Sequence, residues 1–209
     1  MTITGTKEAT FVNDVTLPFA GGNFEFNRGY VAVDAKVGGV PFRFVSTHLD
    51  ELESALQPLQ LGEILAATGD AQRLFLVGDF NSAADGSSTP TYANALGAGF
   101  SDVWTELGVG SGLTCCQNAG LDNPTSLFDR RIDYILHRGS IIDPLAVGLV
   151  GDTPFRSEAP LYASDHAGLF ATFSIEIPEP GTLVLLGAGS LGWWWAARRR
   201  RRATNGPYT

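Results

Sequence analysis

Six polar side chains in this sequence are of the types that hydrolysis of a phosphodiester requires. Carboxylates supply hard oxygen ligands for a divalent metal, and imidazole or amide groups can hydrogen-bond a phosphate. The reaction needs an aligned water, neutralised nonbridging oxygens and help for the departing alkoxide. Two histidines, three aspartates and one asparagine could together meet these needs. They are His48, Asp79, Asn81, Asp133, Asp165 and His166.

The stretch that carries two of these groups is a predicted central strand. Residues 74–77 are four consecutive apolar side chains, which is typical of a strand buried on both faces, and Gly78 allows a close approach at its end. Because side chains alternate along a strand, Asp79 and Asn81 should project to one side while Phe80 enters the core. The same residues could instead simply begin a turn, since Asp and Asn often do so.

His48 ends another predicted strand. Residues 29–37 alternate in character, Gly38 and Gly39 supply a tight turn, and residues 42–49 follow as the second strand of a hairpin. A single histidine at a strand end is more often structural than catalytic, so its role depends on its partners.

A helix is predicted between the strands that end at His48 and Asp79. It runs from Ser54, as the capping residue, to about Thr68, and Gly69 ends it. The order of strand, helix and strand indicates an α/β layer in which a helix packs on a sheet.

The other candidate residues lie in the second half of the chain. Asp133 is a charge within an apolar strand, which is costly without a partner, and Asp165 and His166 directly precede the last predicted strand. Four strand ends thus present candidate groups, although each group alone is a weak signal. A second short helix is predicted at 89–97, and further strands at 130–136, 147–150 and 168–175.

Composition indicates a globular domain with an acidic body. The chain has 209 residues, 44% of them hydrophobic, and a formal net charge of −8. Five of the 14 basic residues are Arg198 to Arg202, which leaves 9 basic and 22 acidic residues elsewhere. An acidic body disfavours wide tracking along a nucleic-acid backbone but permits a small, locally bound phosphate.

The chain has two cysteines, Cys115 and Cys116, in an irregular loop at 108–123. Adjacent Cα atoms lie closer than the usual span of a disulfide, and zinc sites normally separate their sulfurs by two or more residues. Two interpretations remain open: two small, half-buried residues, or a strained, redox-sensitive bridge.

Four ordered segments, STHLD, VGDFNS, RIDYIL and SDHAG, resemble the later motifs of the endonuclease/exonuclease/phosphatase superfamily, whose members include deoxyribonuclease I. The resemblance covers about residues 28–175. It implies an α/β fold of the four-layer αββα sandwich type and hydrolysis of phosphoester bonds.

The resemblance also implies roles for the individual residues. Asp79 would orient or deprotonate the attacking water, and Asn81 would hydrogen-bond a phosphate oxygen. His166 would contact the scissile phosphate and be held by Asp133, which fixes its tautomer and raises its basicity. His48 resembles the second histidine that contacts the phosphate, and family members differ in which of the two histidines protonates the leaving group.

Metal binding is implied in the same way. Asp165 resembles a metal ligand, and Mg²⁺ is the implied ion, with Mn²⁺ or Ca²⁺ as alternatives. Family members carry an earlier half whose Asn and Glu hold the principal metal. We assign no such role to Asn23, Glu25 or Asn27, and we expect a partial sandwich that lacks its amino-terminal half, leaves an apolar face exposed and derives from a longer secreted protein.

The carboxy-terminal tail has a different character. Pro178, Glu179 and Pro180 precede an uncharged stretch, 181–197, and five arginines follow. Seventeen residues at ~1.5 Å each span about 25 Å, just short of a hydrocarbon core of ~30 Å, which predicts a marginal transmembrane helix. A buried core helix is the alternative. The tail resembles the PEP-CTERM sorting signal, which an exosortase-type enzyme processes at the cell envelope.

These observations give one organisation and two functional hypotheses. The predicted parts are a catalytic domain at 1–176, the sorting signal and transmembrane helix at 177–203, and a tail at 204–209. The first hypothesis is a monomeric, exported, metal-dependent phosphoesterase acting on a small phosphodiester, a lipid headgroup or a nucleic acid. The second is a non-catalytic envelope protein or inactive fragment. Residues 1–20 show no export signal, which such proteins carry.

Overall fold

Ten strands and three α-helices make up the part of the chain that the computed structural model describes, residues 1–177 except 70, 141 and 157. The strands are β1 (Thr2–Thr10), β2 (Val15–Phe19), β3 (Gly22–Phe26), β4 (Gly29–Val37), β5 (Val40–His48), β6 (Leu74–Asp79), β7 (Ser101–Asp102), β8 (Asp133–Arg138), β9 (Ile142–Val150) and β10 (Gly168–Ile175). The helices are α1 (Gln57–Thr68), α2 (Thr91–Gly97) and α3 (Val103–Leu107), and a single 3₁₀ turn, Ser54–Leu56, precedes α1.

The main sheet has six strands in the order β1-β4-β5-β6-β8-β7. Strands β5 and β6 are parallel and are connected through α1, whereas the other neighbouring pairs are antiparallel. This arrangement confirms the predicted unit of strand, helix and strand between His48 and Asp79.

The predicted hairpin is also confirmed. Gly38 and Gly39, which connect β4 to β5, have φ values of 56° and 85°, a left-handed conformation that favours glycine. Ser54 does not cap the helix that follows. Glu53 caps the 3₁₀ turn before it, because its carboxylate accepts a hydrogen bond from the Ala55 amide at 3.3 Å, and α1 itself begins after Leu56 without a side-chain cap. The helix prediction was therefore right and its capping residue was wrong.

One face of the main sheet is closed by helices. Leu74 and Leu76 of β6 are fully buried in one cluster with Leu61 and Ile64 of α1. At the end of β6, a side chain on Gly78 would collide with the carbonyl oxygen of Thr47 in β5, so only glycine lets these two strands run this close.

The opposite face is covered by a separate two-stranded sheet of β9 and β10. Phe75 of β6 packs against Phe173 of β10 with ring centroids 4.8 Å apart. The cover is incomplete, because Phe44 and Phe170 are 40% and 48% exposed. Helices, main sheet and small sheet form successive layers of a mixed α/β fold. The α/β prediction is confirmed, and the partial four-layer αββα sandwich that lacks its amino-terminal half stays a prediction.

The amino-terminal 28 residues contain three strands that the sequence reasoning missed. Strand β1 adds to the edge of the main sheet beside β4, and β2 pairs with β3 in a separate ribbon. Asn23 and Glu25, to which we assign no metal role, lie in β3. Apolar residues do alternate along β2 and β3, but Leu17, Phe19 and Phe24 are exposed, so neither face of the ribbon forms a core.

The predicted transmembrane helix, 181–197, lies outside the described residues. Within the described ranges, no helix is long and apolar enough to cross a membrane.

Candidate active site

Three neighbouring strands of the main sheet, β5, β6 and β8, have their ends side by side in one row. Parallel strands β5 and β6 end together, and antiparallel β8 begins there, so that His48 pairs with Asp79 and Asp79 pairs with Asp133 in the sheet register. These residues line a cleft of about 720 Å³ that all six predicted side chains share. Groups that are far apart in the sequence are thus brought together as predicted.

Asp79 lies deepest in this row, with its side chain 15% exposed. Burial raises the pKa of its carboxyl, and the nearby Asp133 charge acts in the same direction. The backbone amide of Asn81 donates a hydrogen bond to Asp79 Oδ1 at 2.8 Å, and this bond and the two cleft histidines lower the pKa of Asp79 again. The result is a carboxyl that is more basic than an exposed aspartate.

Asn81 reaches the cleft differently from the prediction. The strand ends at Asp79, and Asn81 follows in a left-handed conformation with φ of 50° rather than in a strand. Phe80 between them is fully buried, as predicted. The Asn81 side chain donates to the Leu49 carbonyl at 2.9 Å, which ties the turn after β6 to the end of β5.

His166 and Asp133 form a close hydrogen bond in the cleft. His166 Nδ1 lies 2.8 Å from Asp133 Oδ2, and His166 Nε2 lies 4.0 Å from Asp79 Oδ2. The hydrogen bond to Asp133 raises the pKa of His166, and burial opposes this rise. The pair therefore fixes the ring and directs Nε2 towards Asp79.

A loop from the region predicted to be irregular holds His166 in place. The Gln117 amide donates to the Asp165 carbonyl at 2.9 Å, and the Ala167 amide donates to the Thr114 carbonyl at 2.8 Å. Thr114 Oγ1 also accepts hydrogen bonds from the Ile132 and Asp133 amides, both at 3.3 Å. Loop residues 114–117 therefore connect the histidine to the strand that carries its aspartate.

His48 has more exposed surroundings, with 45% of its side chain accessible. Its Nε2 lies 3.4 Å from Asp79 Oδ2, and Arg28 Nη1 lies 3.2 Å from its Nδ1. Because a guanidinium can only donate, Nδ1 is the acceptor and the proton of a neutral ring resides on Nε2. Arg28 also pairs with Glu51 at 3.2 Å.

Asp165 lies at the rim. Its exposed carboxylate accepts a hydrogen bond from Ser164 Oγ at 3.2 Å and lines the same cleft. The tight cluster, whose ligand atoms all lie within 4.8 Å of one another, consists instead of Asp79, Asp133 and His166.

This geometry agrees with a comparison of the sequence with protein families. A family model described as "Endonuclease/Exonuclease/phosphatase family" matches residues 10–166, three quarters of the chain. The chain belongs to this family. A second model, the PEP-CTERM protein-sorting motif, matches residues 176–202. No curated protein matches the chain in sequence.

Solved structures of this family share the fold. A D. rerio TDP2 complexed with single strand DNA product has a TM-score of 0.60 and 22% identity, with 83% of this chain and 68% of that chain covered. A family protein from Leptotrichia buccalis has a TM-score of 0.59 and 21% identity over 83% and 62% of the two chains. A Bacteroides thetaiotaomicron mannosyl-6-phosphatase has a TM-score of 0.56 and 19% identity over 71% and 58%. The chain thus spans between 58% and 68% of these three relatives' lengths.

The cleft contains residues that sequence reasoning about this family did not assign. They are Glu51, Cys115, Cys116 and Arg130 in the lining, with Arg28 behind His48. Glu51 directly follows the STHLD segment and Arg130 directly precedes RIDYIL, so their positions beside these motifs could have indicated both. Arg28 and the cysteines lie outside the four segments, and only the sheet register and the path of the 114–117 loop bring them to the cleft.

Proposed function

We propose that the protein hydrolyses a phosphoester bond in this cleft with a bound divalent metal. The observation that carries the proposal is the His166–Asp133 pair, 2.8 Å apart, directed at Asp79. A fixed imidazole and a basic carboxylate facing one small space are the parts that activation of water and protonation of a leaving group require.

Asp79 is the group that takes the proton of the attacking water. Its raised pKa makes it a stronger base than an exposed aspartate. Its Oδ1 is held by a hydrogen bond from the backbone amide of Asn81. His166, held by Asp133, donates from Nε2 to a phosphate oxygen. Because the pKa of His166 is raised, its ring keeps this proton to a higher pH than a free histidine does.

His48 and Asn81 hold the phosphate from the other side. The proton on His48 Nε2 faces Asp79, and Arg28 keeps it there by occupying Nδ1. The Asn81 amide nitrogen uses one N–H on Leu49 and offers the second to a phosphate oxygen. We assign neither residue a proton transfer.

The donor set of the cleft fits a hard divalent cation. Asp133 is engaged with His166 and Asp79 acts as the base, so we assign metal binding to Asp165, whose exposed carboxylate lines the cleft. Mg²⁺ is the proposed ion, with Mn²⁺ or Ca²⁺ as alternatives, and when bound it supplies charge neutralisation at the phosphate.

The substrate that we favour is a small phosphoester or a lipid headgroup. The net charge of −8 repels a long polyanion, and Arg28 and Arg130 are the arginines beside the cleft within the described residues. We also propose export to the cell envelope, processing by an exosortase-type enzyme and a membrane segment at 181–197, because the sorting motif matches residues 176–202.

The test is hydrolysis of bis(p-nitrophenyl) phosphate by the full chain, with Mg²⁺, after chelation, and after Mg²⁺ is restored. We expect chelation to abolish the activity and Mg²⁺ to restore it. Asp79→Asn should lower kcat about 10²- to 10⁴-fold, since a neutral amide cannot accept the proton. Asp85→Asn, at an exposed aspartate outside the cleft, is the matched control and should leave kcat unchanged.

Activity that survives both chelation and Asp79→Asn would contradict the assigned site. A folded chain that hydrolyses no phosphoester with Mg²⁺ or Mn²⁺ would favour the alternative, a non-catalytic envelope protein. Activity on plasmid DNA that exceeds activity on the small diester would contradict the favoured substrate class.

A further inference from the structure

The cleft holds a second set of potential metal ligands that differs in chemistry from the first. Cys115, Cys116 and His166 have ligand atoms within 4.8 Å of one another, as do Asp79, Asp133 and His166. The cysteine set offers two sulfurs and an imidazole, which select soft or borderline ions such as Zn²⁺. The carboxylates of the other set suit Mg²⁺. The two sets share a single residue, His166.

The structure pairs Cys115 and Cys116 in a disulfide at the wall of the cleft. In this state neither sulfur carries a charge that it could offer to a metal. We propose that reduction of this disulfide creates a binding site for a thiophilic divalent cation such as Zn²⁺, formed by Cys115, Cys116 and His166. The ion occupies His166 Nε2 and thereby inhibits the enzyme. The inhibition rests on the proposed function, and the binding does not.

The distances fit such a site. Cys116 Sγ lies 4.0 Å from His166 Nε2. A sulfur and a nitrogen bound to one tetrahedral zinc lie roughly 3.5 Å apart, given bond lengths of about 2.3 and 2.0 Å. A small rotation of the half-buried Cys116 side chain closes this difference. The bridged sulfurs already face the same space, so adjacency in the sequence does not prevent them from reaching one ion.

The surroundings of the three ligands also suit a metal. Asp133 accepts the proton of His166 Nδ1, an arrangement that typically orients a metal-binding histidine and leaves Nε2 for the ion. Arg130 Nη2 lies 3.5 Å from Cys116 Sγ and 3.8 Å from Cys115 Sγ. It can donate hydrogen bonds to both sulfurs once they are thiolates.

The chemical steps balance with a phosphine as the reductant. The phosphine gives two electrons to the sulfur–sulfur bond and takes the oxygen of one water molecule, whose two protons end on the sulfurs as thiols. Binding of Zn²⁺ then releases one proton from each thiol, and the Nε2 proton of His166 where that ring is protonated, to solvent. A phosphine is preferred to a thiol reagent because it does not compete for zinc through sulfur.

Cobalt provides a readout that does not depend on hydrolysis. The full chain is reduced with a water-soluble phosphine under argon and titrated with Co²⁺. We expect an intense sulfur-to-cobalt absorption band that saturates at one equivalent and disappears when Zn²⁺ is added. Since the chain has two cysteines, the band can arise only from this pair. The oxidised protein should show no band.

Variants separate this site from unspecific binding. Cys116→Ser should remove most of the band, and His166→Ala should shift it and weaken cobalt binding. His48→Ala is the matched histidine control, on the other side of the cleft, and should leave the band unchanged. Because Cys115 is 1% exposed in a small apolar cluster, Cys116→Ser is the safer variant for folding.

No sulfur-to-cobalt band in the reduced protein, or an undiminished band in Cys116→Ser, would overturn the site. In the activity arm, Zn²⁺ should lower hydrolysis at least about tenfold in the reduced protein and not in the oxidised one, because His166 is withdrawn from catalysis. A cobalt band without any hydrolysis would support the site while contradicting the proposed function. Equal inhibition of both forms would contradict the proposed role of the disulfide.

Discussion

The two histidines of the cleft stand on walls that are built differently. The loop wall consists of His166, Asp133 and residues 114–117, and the strand wall consists of His48, Arg28 and Glu51. On the loop wall, a carboxylate at 2.8 Å holds the histidine. On the strand wall, an arginine contacts the histidine at 3.2 Å.

Each wall is supported by an ion pair, which is buried next to the loop wall and more exposed in the strand wall. The strand that carries Asp133 begins beside Arg131, whose guanidinium pairs with Asp102 at 2.5 Å, with exposures of 8% and 0%. Arg28 pairs with Glu51 at 3.2 Å, with exposures of 17% and 49%. The carboxylate partner raises the pKa of His166 and fixes its ring. On the strand wall, Arg28 occupies Nδ1 of His48, so the ring offers its Nε2 proton as a hydrogen-bond donor.

The largest effect should come from the loop wall itself. His166→Ala should lower kcat for bis(p-nitrophenyl) phosphate about 10²- to 10⁴-fold, because the proton donor is lost. Steady-state kinetics with Mg²⁺ measure this, and near-ultraviolet circular dichroism confirms the fold. If His48→Ala costs more activity than His166→Ala, the roles of the two walls are reversed.

The buried support should dominate stability. Arg131→Ala leaves the Asp102 carboxylate buried without its ion pair, and we expect the free energy of unfolding in urea to fall by about 3–5 kcal/mol. The neighbouring Arg130→Ala is the matched control. Its pair with Asp129 is 54% and 73% exposed, so the change should stay below about 1 kcal/mol. Equal losses in the two variants would remove the distinction between the supports.

The strand wall should contribute less to catalysis. His48→Ala should lower kcat/KM about 10- to 100-fold, since a hydrogen bond to the phosphate is lost while proton transfer is retained. His48→Asn, which keeps an N–H donor, should recover part of the loss. An effect of about 10³-fold or more that His48→Asn does not relieve would show that His48 transfers a proton.

The smallest effect should come from the exposed support. Glu51→Gln removes the charge that pairs with Arg28, and we expect the free energy of unfolding to change by less than about 1 kcal/mol. Urea unfolding at low and high salt measures it, and the difference should shrink as salt increases. A loss as large as that of Arg131→Ala would contradict the contrast between the walls.

The sequence predicts best where local pattern and tertiary structure agree. The buried run 74–77, the glycine pair at 38–39 and the helix before β6 each have a local cause, and all three are confirmed. His48, Asp79 and Asp133 converge because their strands are neighbours in register. Each residue lies in one of the ordered motifs, so the order of the motifs in the sequence could predict this convergence.

The remaining features depend on contacts that have no local signature. Strand β1 is mostly polar, whereas β2 and β3 alternate apolar residues whose side chains are largely exposed, so the pattern marks no core. The cysteines reach the cleft because the 114–117 loop pairs with both Arg130 and His166, which lie 15 and 50 or more residues further along the chain. Arg28 precedes His48 by 20 residues and meets it only because β4 and β5 form a hairpin.

The most direct test of the His166–Asp133 pair is a double-mutant cycle with His166→Ala and Asp133→Asn, measured as kcat/KM for bis(p-nitrophenyl) phosphate with Mg²⁺. Asp133→Asn alone should cost about 10- to 100-fold, because it removes the acceptor that orients the ring. In the His166→Ala background the same substitution should change kcat/KM by less than about twofold, because the aspartate acts through the histidine. Losses that multiply in the double variant would contradict this account, since they would show that the two residues act independently.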